Sequence, residues 1–270
     1  MSAARPTILI FDSGVGGLTV LDPIRAARPD AHFVYVGDTA FFPYGEREEE
    51  ELIARVVTVI DSAVARFTPD LIVIACHTAS TLVLPALRAR LSIPIIGTVP
   101  AIKPAAESSQ SRLISVLATK GTVKRNYTSA LIRDFAGDCE VTLVSATRLA
   151  GYAEDALHGR PVSDNNLRTE IAPAFVEKDG RRTDRVVLAC THYPLLLDRL
   201  ERVAPWPVTW IDPAPAIARR VVQLLGEQRF DRQNTDIPDV ACFTNEIGIA
   251  SVFESVLENY GLRLTKSLHL

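Results

Sequence analysis

Val73-Ile74-Ala75-Cys76-His77-Thr78 has a near-copy later in the chain, Val187-Leu188-Ala189-Cys190-Thr191-His192. Each is an apolar run ending in Ala-Cys, followed by small polar residues and the start of a helical pattern. Short β-branched runs bounded by polar turns read as buried strands. A weaker echo links residues 8–14, which run into Asp12-Ser13-Gly14, with residues 114–121, which run into Thr119-Lys120-Gly121. The two echoes occur in the same order, which implies a duplicated α/β unit.

The surrounding sequence fits that unit. Strands are expected at residues 8–11, 33–36, 71–75, 94–97, 113–117, 141–144, 185–189 and 208–211. Helices are expected at 46–67, 124–135, 164–176, 194–203, 215–225 and 249–260. The helix at 46–67 has the clearest pattern: Ile53, Val56, Val57, Ile60, Val64 and Phe67 follow the 3.6-residue period. The acidic residues 48–51 fall in its first turns, where negative charge suits the helix dipole. Alternation of this kind predicts an α/β fold of two pseudo-symmetric domains, with mainly parallel sheets flanked by helices. The first domain is expected at 1–97 plus 208–270, the tail returning to it, and the second at 98–207. Ligands in such folds sit beyond the C-terminal ends of the strands, and both cysteines stand there.

Bulk properties exclude several classes. The 270 residues are 47% hydrophobic and 23% charged, and the net charge of −3 provides no footprint for nucleic acid. No apolar run approaches the roughly 18 residues of a membrane span, and the N-terminal run reads as a strand rather than a signal peptide. A cytoplasmic protein with reduced thiols is therefore expected. Gly14-Val15-Gly16-Gly17 fits neither the dinucleotide nor the P-loop pattern and reads as a tight turn after a strand. Cys76-His77 and Cys190-Thr191-His192 lack the spacing of a zinc site, so no metal is expected. Cys139 and Cys242 lack a comparable setting and read as structural.

A thiol near a helix N-terminus has its thiolate stabilised by exposed N–H groups, and a neighbouring imidazole acts similarly. Thr78 or Ser80 can cap a helix after Cys76, and Pro194 suits a first helical position after Cys190. Two cysteines in matching settings on related halves, facing one another across a cleft, suit racemisation at an amino-acid α-carbon. One thiolate removes the α-proton and the opposite thiol returns another, so a pair of like groups runs the cycle in both directions. Donors aimed at the substrate carboxylate would stabilise the carbanion, and strand-end N–H groups with the hydroxyls of Ser13, Thr78 and Thr191 are suitable. A Cys–His hydrolase would leave the second cysteine unexplained.

Taken together, Phe11-Asp12-Ser13-Gly14-Val15-Gly16-Gly17-Leu18, Gly37-Asp38-Thr39-Ala40, Pro43-Tyr44-Gly45, Ala75-Cys76 with Thr78-Ala79-Ser80, and Cys190-Thr191-His192-Tyr193-Pro194-Leu195 closely resemble glutamate racemase. The resemblance implies two α/β domains with the active site in the interdomain cleft. It also implies a homodimer that needs neither pyridoxal phosphate nor metal and supplies D-glutamate for peptidoglycan synthesis. By the same resemblance Cys76 would exchange the proton on the D-glutamate face and Cys190 that on the L-glutamate face, assisted by Asp12 and His192. Asp12, Ser13, Tyr44, Gly45, Thr78, Thr191 and His192 would hold the substrate. His77 stands where the family normally has Asn; it is expected to contact substrate and, by ionising near pH 6.5, to make activity more pH-dependent. Residues 146–155 lack the family's Cys-Pro opening, and either Glu154 or Asp155 could supply a carboxylate. The alternatives are a racemase of aspartate or a related acid, or a glutamate-binding protein without turnover.

Overall fold

The computed structural model describes residues 5–226, 237–245 and 251–268. The chain falls into two compact units, one of residues 1–98 with 214–270 and one of 99–213. In the first, β1 (Thr7–Asp12), α1 (Leu18–Ala27), β2 (His32–Gly37), α2 (Glu49–Phe67), β3 (Leu71–Ile74), α3 (His77–Arg90) and β4 (Ile95–Gly97) follow one another. The second contains α4 (Ile102–Ser108), β5 (Leu113–Ala118), α5 (Lys120–Lys124), α6 (Asn126–Phe135), β6 (Glu140–Ser145), α7 (Leu149–Leu157) and α8 (Asp164–Ile171). It continues through β7 (Glu177–Lys178), β8 (Arg181–Arg182), β9 (Arg185–Ala189), α9 (Leu197–Val203) and β10 (Thr209–Ile211). The return to the first unit supplies α10 (Ala214–Leu225), β11 (Val240–Phe243), α11 (Ser251–Asn259) and β12 (Arg263–Leu264).

The first sheet has the order β12-β11-β2-β1-β3-β4 and the second β10-β9-β5-β6, with every pairing parallel. The fold is thus α/β, with parallel sheets and intervening helices. Read outward from its centre, β2-β1-β3-β4 repeats as β6-β5-β9-β10. The strand preceding Cys76 lies beside β1, Phe11 opposite Ile74, and the strand preceding Cys190 lies beside β5, Ala118 opposite Ala189. In each sheet the first strand is flanked on both sides by later ones, creating the switch point at which α/β folds bind ligands.

Burial explains why the apolar runs become strands. Leu9, Phe11, Val34, Val36, Ile72 and Ile74 are sealed beneath Leu52, Val56, Val59, Ile60 and Ala63 of α2 and Val83 and Leu87 of α3. Each large side chain so buried contributes about 1.5–3 kcal/mol. In the second unit Ile114, Val116 and Val187 are buried with Ile102 and Ala105 of α4.

Several expected boundaries move for identifiable reasons. Residues 209–211 pair with β9, so the chain leaves the second sheet after β10 rather than at residue 208. The helix expected at 164–176 stops at Ile171 and tightens into a 3-10 turn at Ala172–Ala174, where Pro173 cannot donate the next helical bond. The helix expected at 124–135 divides at Arg125, whose ψ of 135° is extended. The helix expected from residue 46 begins at Glu49, Glu46 closing a separate 3-10 turn, Tyr44–Glu46. The first two positions of the helix expected at 249–260 lie outside the described residues. The strands β7 and β8, unread in the sequence, form a hairpin whose Asp179 and Gly180 both have positive φ (51° and 71°), the backbone that a two-residue hairpin turn requires. No helix among the described residues is long and apolar enough to cross a membrane.

Candidate active site

The first unit contains Asp12, Ser13, Tyr44, Gly45, Cys76, His77 and Thr78; the second contains Cys190, Thr191 and His192. Asp12 ends β1 and Cys76 stands one residue past the end of β3, and the intervening Ala75 N–H donates to Phe11 O at 2.8 Å. This pairing sets Ser13 beside Cys76, whose thiol donates to Ser13 Oγ at 3.5 Å. Asp12, Ser13, Cys76, His77 and Thr78 are all buried. The glycine turn keeps Asp12 in place: a Cβ at Gly17 would lie 2.8 Å from Asp12 Cβ.

Cys76 is itself the N-cap of α3, with φ −61° and ψ 118°, so its sulfur stands at the dipole's positive end. Neither Thr78 nor Ser80 has the expected capping position. Ser80 Oγ instead donates to Ile74 O and accepts from Thr98 N–H, both at 2.8 Å, which ties α3 to the strand ends.

His77 is 3% exposed, and neither ring nitrogen has a hydrogen-bond partner. Burial pushes its pKa down to about 3. The expected ionisation near pH 6.5 is therefore corrected: the ring stays neutral through the neutral range, offering one donor and one acceptor.

In the second unit Cys190 follows β9 and precedes a 3-10 turn, Tyr193–Leu196, with Pro194 in its first positions. Cys190 Sγ lies 3.9 Å from His192 Nδ1, and His192 Nε2 lies 2.8 Å from Glu154 Oε1. Burial opposes a charged His192, but the hydrogen bonds and charges of Cys190 and Glu154 prevail and raise its pKa well above the ordinary value. The arrangement favours an imidazolium between the Cys190 sulfur and the Glu154 carboxylate. Of the two candidate carboxylates, α7 presents Glu154; Asp155 pairs with Arg160 at 2.6 Å. The carbonyl of Glu154 accepts from His158 Nδ1 at 2.7 Å.

Sequence reasoning missed a second polar cluster. Asp38, fully buried at the end of β2, accepts from Tyr44 Oη, Arg55 and Thr244 Oγ1. Its signal was an aspartate directly after a buried strand, but its partners come from three separate segments, one of them 206 residues away. Tyr44 is correspondingly held protonated, its pKa raised by burial and by the Asp38 charge and hydrogen bond. All four thiols are free; Cys242 is buried and donates to Lys266 O at 3.1 Å, whereas Cys139 is only half-buried. Among the described residues no three His, Cys, Asp or Glu side chains are grouped to hold a metal ion.

Comparison with known proteins adds an independent line. A model of the Asp/Glu/hydantoin racemase family matches residues 19–221. The glutamate racemase of Brucella canis is 51% identical over 267 residues, 96% of each chain. The crystal structure of Escherichia coli glutamate racemase in complex with L-glutamate and the activator UDP-MurNAc-Ala superposes with a TM-score of 0.90 at 40% identity, covering 98% of both chains. That of the isoform RacE1 from Bacillus anthracis gives 0.81 at 27% identity, covering 99% of both.

Proposed function

Because this chain belongs to the Asp/Glu/hydantoin racemase family, we propose that it interconverts L- and D-glutamate by two-base proton transfer at the α-carbon, with Cys76 and Cys190 as the two bases. The observation that carries this reading is the repeated placement of a cysteine after the strand flanking each sheet's first strand, Cys76 after β3 and Cys190 after β9. On this reading the substrate's Cα meets one sulfur on each of its faces.

In the D-to-L direction the Cys76 thiolate takes the α-proton, breaking C–H and forming S–H. The electron pair passes into the substrate carboxylate as an enolate-like carbanion, and the Cys190 thiol gives its proton to the opposite face. The enzyme is left with Cys76 protonated and Cys190 as thiolate, ready for the L-to-D direction. The halves support their sulfurs differently: His192 with Glu154 assists Cys190, while Ser13 and the start of α3 favour the Cys76 thiolate, and Asp12 would assist Cys76 only by accepting a proton from its thiol. Ser13, Thr78, Thr191 and the Tyr44-Gly45 backbone supply donors to the carboxylates, and Asp12 takes the ammonium. The neutral ring of His77 would find its missing partners on the substrate. The pair of thiols calls on no cofactor. A homodimer supplying D-glutamate for peptidoglycan synthesis is the proposed setting.

Incubation with each glutamate enantiomer in D2O tests the reading. The expected result is loss of optical rotation together with deuterium at Cα. Turnover of aspartate alone would select a different substrate, and tight glutamate binding without exchange would indicate a binding protein.

A further inference from the structure

Asp38 has 0% exposure, yet its two oxygens take four hydrogen bonds. Tyr44 Oη donates to Oδ2 at 2.6 Å and Arg55 Nε to the same oxygen at 2.9 Å. Arg55 Nη2 donates to Oδ1 at 2.6 Å, as does Thr244 Oγ1 at 2.6 Å. Thr244 is occupied on both sides, since its hydroxyl also accepts from the Ala40 N–H at 3.1 Å. The guanidinium binds in a two-point fork, the geometry in which a buried carboxylate is best compensated.

These donors converge from separate parts of the chain: the 44–46 turn, α2, and the segment just past β11. The turn has additional supports. Phe41 and Tyr44 meet edge to face with ring centroids 6.0 Å apart, and the Arg47 guanidinium lies 4.3 Å from the Phe41 centroid. The tyrosine's one O–H is engaged with Asp38, so Tyr44 has no hydroxyl proton left to donate to a ligand.

We propose that Asp38 is a positioning residue for the substrate, fixing the Tyr44-Gly45 turn through the phenol and tying that turn, by way of Thr244, to the returning C-terminal segment. The inference rests on the reading of Tyr44-Gly45 as a glutamate contact. A loosened turn weakens ground-state and transition-state binding alike, so the loss appears in KM rather than kcat.

Steady-state racemisation of glutamate by Asp38→Asn, Thr244→Val and Thr244→Ser tests this, with circular dichroism reporting the fold. Asp38→Asn should raise KM about tenfold while kcat changes by less than about threefold. Thr244→Val should raise KM by about threefold or more, and Thr244→Ser, which keeps the hydroxyl, should restore it. If Asp38→Asn does not fold, the Thr244 pair carries the test. In Asp38→Asn the Thr244→Val effect should shrink, because both act through one carboxylate. Unchanged KM in folded variants, a fall confined to kcat, or equal KM for Thr244→Val and Thr244→Ser would overturn the inference. Absence of glutamate turnover in the wild type would instead overturn the functional reading on which it stands.

Discussion

His192 Nε2 stands 2.8 Å from Glu154 Oε1, and the opposite ring nitrogen faces Cys190 Sγ at 3.9 Å. The imidazole thus links a carboxylate to a thiol within a single unit. Glu154 is 14% exposed and His192 2%, so the pair is screened little by solvent.

Glu154→Gln removes the charge that sustains the imidazolium. The pKa of His192 then falls from its raised position, and a cation is no longer held beside the Cys190 sulfur. The expected effect is a drop in kcat/KM of about 10²-fold. The two enantiomers interconvert with an equilibrium constant of one, so kcat/KM must fall equally in both directions. Initial rates from L- and D-glutamate check this; a loss under about twofold would remove Glu154 from the relay.

Cys76→Ser and Cys190→Ser should each lower racemisation by about 10³-fold or more, because a serine hydroxyl is a far weaker acid than a thiol. Each variant keeps one working base. Cys190→Ser should still wash deuterium from D2O into D-glutamate faster than into L-glutamate, and Cys76→Ser should show the reverse preference. Equal exchange into both enantiomers by either variant would contradict the assignment of one sulfur to each face.

His77 has a folded pKa of about 3 against 6.5 for the free ring. Between those values the unfolded chain binds the additional proton, so stability falls as pH is lowered, by about 1.4 kcal/mol per unit for one fully buried ring. His77→Asn lacks this proton uptake. Urea unfolding at pH 6.5 and pH 5 should show a smaller acid loss in the variant, by about 2 kcal/mol. Parallel behaviour of the two proteins would rule out a buried neutral imidazole.

Gly17→Ala is predicted to be costly even though Gly17 has a helical φ of −62°, where alanine is at ease. The obstacle is contact: the new methyl would lie 2.8 Å from Asp12 Cβ and 3.1 Å from Tyr35 Oη. A loss of about 1–3 kcal/mol is expected, with a fall in turnover as Asp12 is displaced. Thermal unfolding and racemisation rates measure both; a variant as stable and active as the wild type would mean the turn yields freely.

The buried strands were legible because each is a short apolar run with polar ends, and the echo of 73–78 in 187–192 marked their equivalence. Strand β11 was not, since Val240-Ala241-Cys242-Phe243 has one β-branched residue where the strands that were read are richer in them. Residues 209–211 read correctly as a strand, but a strand's sequence does not name its neighbour, and the pairing with β9 is visible only in the sheet. At the site, Cys76 and Cys190 were found through their flanking residues. Glu154 could not be separated from Asp155, because adjacent positions on a helix differ by about 100° and only packing decides which turns inward. The Asp38 cluster joins residues as far apart as 38 and 244, a convergence that local pattern does not encode.

Strands β11 and β12 complete a sheet begun by β1 and β2 at the opposite end of the chain. Residues 99–213 form a continuous stretch with a sheet of their own. During synthesis the later-made unit therefore has all its strands on hand while the earlier one still waits for its outer edge. Loss of the last few dozen residues would strip two strands and the Thr244 hydroxyl from the half of the protein that was translated first.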